Sequence, residues 1–169
     1  MKTIKHKYVK KTAVCLLLFI PCLLVFSAEI DRKTFSISLP DKWAEDTKDD
    51  MYSPDSFIFF DGPESCLFTV MVGKKSAGAS VDDLLKNQID SIKKKFTDEK
   101  IAKITKWSRF DGKGFKIEGK IQGIFITRFT VFGFEKGDYV CLVEESATLG
   151  DYKTYANDFE KIRQSFKLK

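Results

Sequence analysis

Apolar and polar residues alternate along most of the chain beyond residue 33, and the period of the alternation changes twice. Residues 34–39 put Phe35, Ile37 and Leu39 on one side of an extended segment, the mark of a half-buried strand. A polar stretch, 44–54, follows. Residues 56–60 and 66–72 then read as two strands of a hairpin, with Asp61-Gly-Pro-Glu64 as its turn. Over 80–96 the period lengthens: Val81, Leu84, Leu85, Ile89, Ile92 and Phe96 form one helical stripe, and Ser80, with Asp83 three residues on, supplies the cap. Four strand-like runs come next, at 101–110, 114–122, 124–134 and 138–145. Asp111-Gly-Lys-Gly114, Gly123 and Glu135-Lys-Gly-Asp138 are read as the turns between them. Helical spacing returns over 151–166 in Tyr152, Tyr155, Phe159, Ile162 and Phe166. The order β-β-β-α-β-β-β-β-α with short turns demands a largely antiparallel sheet. Two main helices must cover it, so the predicted fold class is α+β, a single-domain α/β/α sandwich.

The start of the chain has a different pattern. Five lysines precede residue 13, no acid occurs before Glu29, and residues 13–26 are an apolar run interrupted only by Pro21. At ~1.5 Å per helical residue this run falls short of the ~30 Å hydrocarbon layer. It reads as a signal peptide, residues 1–27, cleaved after Ser27. Pro21 stands where a lipid-bearing cysteine needs a small residue, so Cys22 is read as unmodified. The expected mature protein is a single domain, 28–169, exported to a periplasm or secreted, with no transmembrane anchor.

That cut changes the charge. The whole chain carries 29 basic and 24 acidic side chains, a net +5, and its one histidine is His6. Residues 28–169 hold 24 of each sign and no histidine. Ser-His-Asp triads, Cys-His pairs and histidine metal sites are thereby excluded from the mature chain. Nucleic acid is not an expected partner for a neutral exported domain.

The remaining candidates for chemistry are few. Cys66 and Cys141 survive cleavage, and two readings stay open: one disulfide, or two buried free thiols. Their spacing excludes a Cys-x-x-Cys redox pair. The glycines at 112, 114, 119 and 123 open no helix, form no phosphate cradle, and read as hairpin glycines. Asp41, Glu45, Asp46, Asp49, Asp50 and Asp55 are hard-oxygen donors without the spacing of a calcium loop, so no metal and no cofactor is assigned. Residues 29–66 hold ten acids against four cations, and residues 93–120 hold ten cations against four acids. Lys93, Lys94, Lys95, Lys103, Lys106 and Arg109 are the candidate face for an anionic partner, against the alternative of ordinary solvated surface.

The opening Phe35-Ser-Ile-Ser-Leu-Pro-Asp-Lys-Trp43, the helix after the third strand and the closing Phe159-Glu-Lys-Ile-Arg-Gln-Ser-Phe-Lys167 together resemble the PsbP-like superfamily, whose members include PsbP and DcrB-type envelope proteins. The resemblance spans most of 33–168. It implies an antiparallel sheet flanked by helices and a binding or assembly role without common catalytic residues. The functional expectation is an exported, non-catalytic binding or assembly module acting on an envelope protein or surface component. Its rivals are a small-ligand or metal-ion carrier and a hydrolase using carboxylates alone.

Overall fold

The computed structural model describes residues 28–169; the signal-peptide reading of 1–27 lies outside the described residues. Two antiparallel sheets and three α-helices make up the architecture. The large sheet has seven strands in the order β3 (Ala44–Asp46), β4 (Phe57–Asp61), β5 (Leu67–Lys74), β9 (Tyr139–Thr148), β8 (Phe125–Lys136), β7 (Phe110–Ile121) and β6 (Phe96–Trp107). A small sheet sets β2 (Phe35–Leu39) between β1 (Ala28–Asp31) and β10 (Lys167–Leu168).

Helix α1 (Val81–Lys93) lies on one face of the large sheet. Ser80 caps it as its spacing predicts, accepting from the Asp83 amide at 3.1 Å and donating to the Asp83 carboxylate at 2.6 Å. Val81 and Leu85 pack on Val131, Val140 and Leu142, and Ile92 packs on Phe96 and Ile117. The opposite face carries the main core: Phe68, Val70, Val72, Phe132, Phe134, Cys141 and Val143 meet Phe35, Ile37 and Leu39 of β2 and Phe159 and Ile162 of the last helix. Strand alternation explains the split, since neighbouring residues of a strand point to opposite faces. The layers are helix, sheet, then helix with a second sheet, the expected α/β/α sandwich.

Several elements differ from their sequence reading. The C-terminal helix is two, α2 (Leu149–Thr154) and α3 (Ala156–Ser165), because Tyr155 leaves helical geometry at φ −102° and ψ 19°. Helix α1 ends at Lys93, and Phe96 opens β6 as its buried first residue. The polar stretch contains β3, held at the sheet edge by backbone pairing of Ala44–Asp46 with Phe59–Asp61. The turn between β6 and β7 is at Ser108 and Arg109, with Ser108 at φ 52°. Gly112, Gly114 and Gly119 therefore lie inside β7 instead of in a turn. Gly114 is there for space: a Cβ would sit 2.7 Å from the Phe132 ring. Gly123 is the turn glycine the sequence indicated, at φ 71°.

The disulfide reading is not realised. Both cysteines are buried free thiols. Cys141 pairs with Val72, whereas Leu67, next to Cys66, pairs with Ser146. The thiols thus sit at opposite ends of the β5–β9 ladder, roughly 20 Å apart by strand rise, while a bridge needs Cα atoms within ~7 Å. Burial pushes the Cys66 thiol up to about 12, with Asp151 adding to the effect, and pushes Cys141 higher still. Neither is a nucleophile at neutral pH.

Candidate functional site

A cleft of ≈ 370 Å³ opens on the face that carries α2 and α3. Its floor is one row of directly paired residues, Lys116 on β7, Thr130 on β8 and Glu145 on β9. Lys106, Trp107 and Ser108 close one side, Tyr152 comes from α2, and Glu160 and Arg163 come from α3. Lys106 reaches this face through a register shift between Ile104 and Lys106 in β6, the kind of irregularity that re-aims a side chain.

Glu145 anchors the site. It is fully buried, and its carboxylate accepts from Trp107 Nε1 at 2.8 Å, the Tyr152 hydroxyl at 3.0 Å and Arg163 Nη1 at 2.6 Å. Burial works against the charge on Arg163, but Glu145 and the Tyr152 hydroxyl outweigh it and hold the guanidinium above its ordinary pKa. Burial, and then the charge of Glu145, raise the Tyr152 phenol. Arg163 also binds Glu160 at 3.1 Å, so one guanidinium holds both carboxylates of the cleft. Arg128 lies 4.6 Å over the Tyr152 ring and pairs with Glu118 at 2.5 Å.

Three groups in this cleft lack a partner of the kind their chemistry calls for. Among the described residues no acid lies within ion-pair distance of Lys106 or Lys116. The Thr130 hydroxyl is buried without any hydrogen-bond partner, an arrangement that costs ~1–3 kcal/mol when nothing fills it. Two ammonium groups and an unpartnered hydroxyl around one space are donors arranged for an anion. Trp107 and Tyr152 add an aromatic wall.

The six cations singled out from the sequence do not share a face. Lys93, Lys94 and Lys95 lie exposed at the C-terminal end of α1. Lys103 pairs with Phe115 and lines a separate ≈ 410 Å³ cleft beneath α1 with Leu85 and Ile89. Lys106 belongs to the polar cleft on the opposite face. Arg109, in the β6–β7 turn, donates to the Phe166 carbonyl at 2.5 Å. What they share is an edge: β6 and β7 close one side of the large sheet, and the acidic run forms β3 and β4 at the other. The acidic loop spends its carboxylates locally. Glu45 takes Arg32 at 2.6 Å and Tyr52 at 2.8 Å, while Asp46 and Asp49 accept from the amides of Lys48 and Met51. Among the described residues no three Cys, Asp or Glu side chains come together to hold a metal ion.

Reading the sequence alone missed Lys116, Thr130, Glu145 and Arg163 as a group, and missed Glu144. Glu144 sits on the α1 face between Thr69 and Val131. One of its oxygens is buried and unpartnered, and burial pushes its carboxyl up to about 7, with Lys95 pulling the other way. The signal was present as two successive glutamates closing an apolar strand covered on both faces.

No protein-family model and no curated protein sequence matches the chain. Solved structures do. LpqN of Mycobacterium tuberculosis, described as involved in cell envelope biogenesis, matches at TM-score 0.51 and 10% identity, over 79% of this chain and 82% of its own. The Saccharomyces cerevisiae Ran-binding protein Mog1p matches at 0.52 and 9%, over 83% and 94%. A Bacteroides thetaiotaomicron protein matches at 0.50 and 13% over 80% of this chain, which spans only 45% of that protein's length. PsbP of Synechocystis is a further match, at 0.47 and 13% over 80% and 87%. The likeness to LpqN and Mog1p is one of fold, a largely antiparallel sheet flanked by helices.

Proposed function

We propose that this chain is an exported, non-catalytic binding module of the cell envelope, and that the polar cleft over β7, β8 and β9 receives an anionic group of its ligand. The observation that carries the reading is the convergence of Lys106, Lys116 and the unpartnered Thr130 hydroxyl on one space. Glu145, Tyr152 and Arg163 hold that space rigid, so a ligand meets a formed site. Both carboxylates of the cleft are engaged by Arg163, which favours binding over acid–base work at this place. The same fold serves a Ran-binding protein and a protein involved in cell envelope biogenesis, which supports a binding role. Export rests on the basic start and apolar run of residues 1–27.

Trp107 lines the cleft and supplies a reporter. Titration with inorganic phosphate and with a small dicarboxylate is expected to give a saturable change in its fluorescence. Lys106→Ala/Lys116→Ala is expected to weaken that binding roughly tenfold or more, in line with two lost charge-assisted hydrogen bonds. A flat titration with both anions, or one unaffected by the double substitution, removes the reading.

A further inference from the structure

We propose that the end of the large sheet formed by the β7–β8 turn docks on an anionic lipid surface. Six large apolar side chains are exposed among the described residues, and three are consecutive at this one turn: Ile124 at 72%, Phe125 at 56% and Ile126 at 48%. None belongs to the three apolar clusters that hold the fold together. The turn is tight. Gln122 and Gly123 take φ of 54° and 71°, and the Ile124 amide donates to the Ile121 carbonyl at 3.2 Å. The two strands behind it are twelve residues each, so the apolar tip is carried on a long, fully paired hairpin.

The tip is apolar on both sides. Phe125 pairs with Ile121, and Ile126, one residue on, pairs with Lys120 and points to the other face. A flat protein partner would cover one side and leave the other wet. A fluid apolar medium surrounds both, which is what the interfacial zone of a bilayer offers.

Charge completes the match. Phe96 pairs with Ile121, which brings the end of α1, with exposed Lys93, Lys94 and Lys95, to the same end of the sheet as the turn. Lys120 stands beside Ile126. The acids at this end are Asp98, bound to Lys120 at 3.3 Å, and Glu99, so four cations face two acids. Lysines around an apolar tip lay their stems against it and direct ammonium groups at headgroup phosphates. Among the described residues no helix is long and apolar enough to cross a membrane, and the contact is peripheral.

Residues 28–169 hold both sheets and all three apolar clusters, so this stretch is used for the test. It is mixed with vesicles of phosphatidylcholine alone or with one third phosphatidylglycerol, and sedimented. Binding is expected only to the anionic vesicles. Phe125→Trp is expected to shift its emission to the blue on binding, against the constant background of buried Trp43 and Trp107. Ile124→Ser/Phe125→Ser/Ile126→Ser and Lys93→Glu/Lys94→Glu/Lys95→Glu are each expected to weaken binding roughly tenfold or more, with melting temperatures unchanged. Lys106→Ala/Lys116→Ala is expected to bind vesicles like the wild type, which keeps this proposal separate from the polar cleft. Absence of binding to anionic vesicles, equal binding to neutral ones, or variants as tight as wild type overturns it. So does loss of binding in the cleft variant, which would put the headgroup in the cleft.

Discussion

Glu144 and Glu145 are adjacent in the chain and point to opposite faces of one strand, into two different environments. Glu145 meets an arginine, a tyrosine and a tryptophan, whereas Glu144 has an unpartnered oxygen and only the field of Lys95 to offset its burial. The consequence for Glu144 has a definite sign. Its folded-state pKa, near 7, exceeds its ordinary value of 4.5, so between those values the folded chain binds the proton more tightly than the unfolded one. Stability contributed by the neutral carboxyl is complete below the unfolded pKa and is lost as pH rises through 7. Glu144→Gln is therefore expected to stabilise the protein at pH 8 by ~2–3 kcal/mol and to have little effect at pH 4. Melting temperatures recorded across that range check it, and a wild type whose stability rises from pH 5 to pH 8 by the Glu144-dependent difference contradicts it. Burial of this pair was legible in principle from a strand covered on both faces. The network around Glu145 was not, because Trp107, Tyr152 and Arg163 are 38, 7 and 18 residues away and no spacing rule connects them.

At the scale of elements, periodicity located seven of the ten strands among the described residues and the main helix, and it missed β1, β3 and β10, where backbone pairing decides instead. Ala44–Asp46 has no apolar alternation and becomes a strand only because Phe59–Asp61 leaves an edge to pair with. The five-residue apolar stripe of 151–166 is correct as a face, yet it conceals the break at Tyr155, since both halves bury the same side. The glycines show a similar ambiguity. Glycine marks turns, but it also marks places where another group lies too close for a Cβ, and sequence does not separate these uses. Gly114 is of the second kind, against the ring of Phe132. Gly114→Val adds a branched side chain that strands otherwise favour, and on propensity alone it would stabilise β7. Overpacking against the Val131 carbonyl, 2.4 Å from an added Cβ, and against the Phe132 ring is expected to win, with a net loss of about 1–3 kcal/mol in urea unfolding. A gain in stability would mean that both the ring and the β8 backbone at Val131 have room to move.

The charge of the whole molecule was described by the sequence as two runs of opposite sign, and the fold turns them into two opposite edges of one sheet. The reason is the strand order. Residues 93–120 close the sheet as β7 and β6, while β3 and β4 take the far side. Exposed lysines along β6, including Lys100, Lys103 and Lys106, also discourage another chain from pairing with that free edge. One measurement addresses the maturation of the whole chain. If the proposed export holds, the intact mass of protein recovered from outside the cytoplasm is expected to correspond to a chain beginning at Ala28. Alkylation in denaturant without reductant is expected to add two labels, one each at Cys66 and Cys141. A mass two hydrogens lower, with no label taken up, would show a bridge that the register of β5 and β9 does not permit.

The small sheet ties the two ends of residues 28–169 to one strand. β2 is paired on one side by Ala28–Asp31 and on the other by Lys167–Leu168, and Lys169 reaches Asp31 at 2.5 Å. Phe35 stacks on Phe166 at 5.6 Å, and Trp43 meets Phe159 edge-on at 5.3 Å. The main core therefore cannot close until residues 159–168 have been synthesised, because they form the wall that faces β2. Contacts this distant in sequence make folding slow. A nascent chain with such a requirement carries its first strands without their partners until residues 159–168 have left the ribosome.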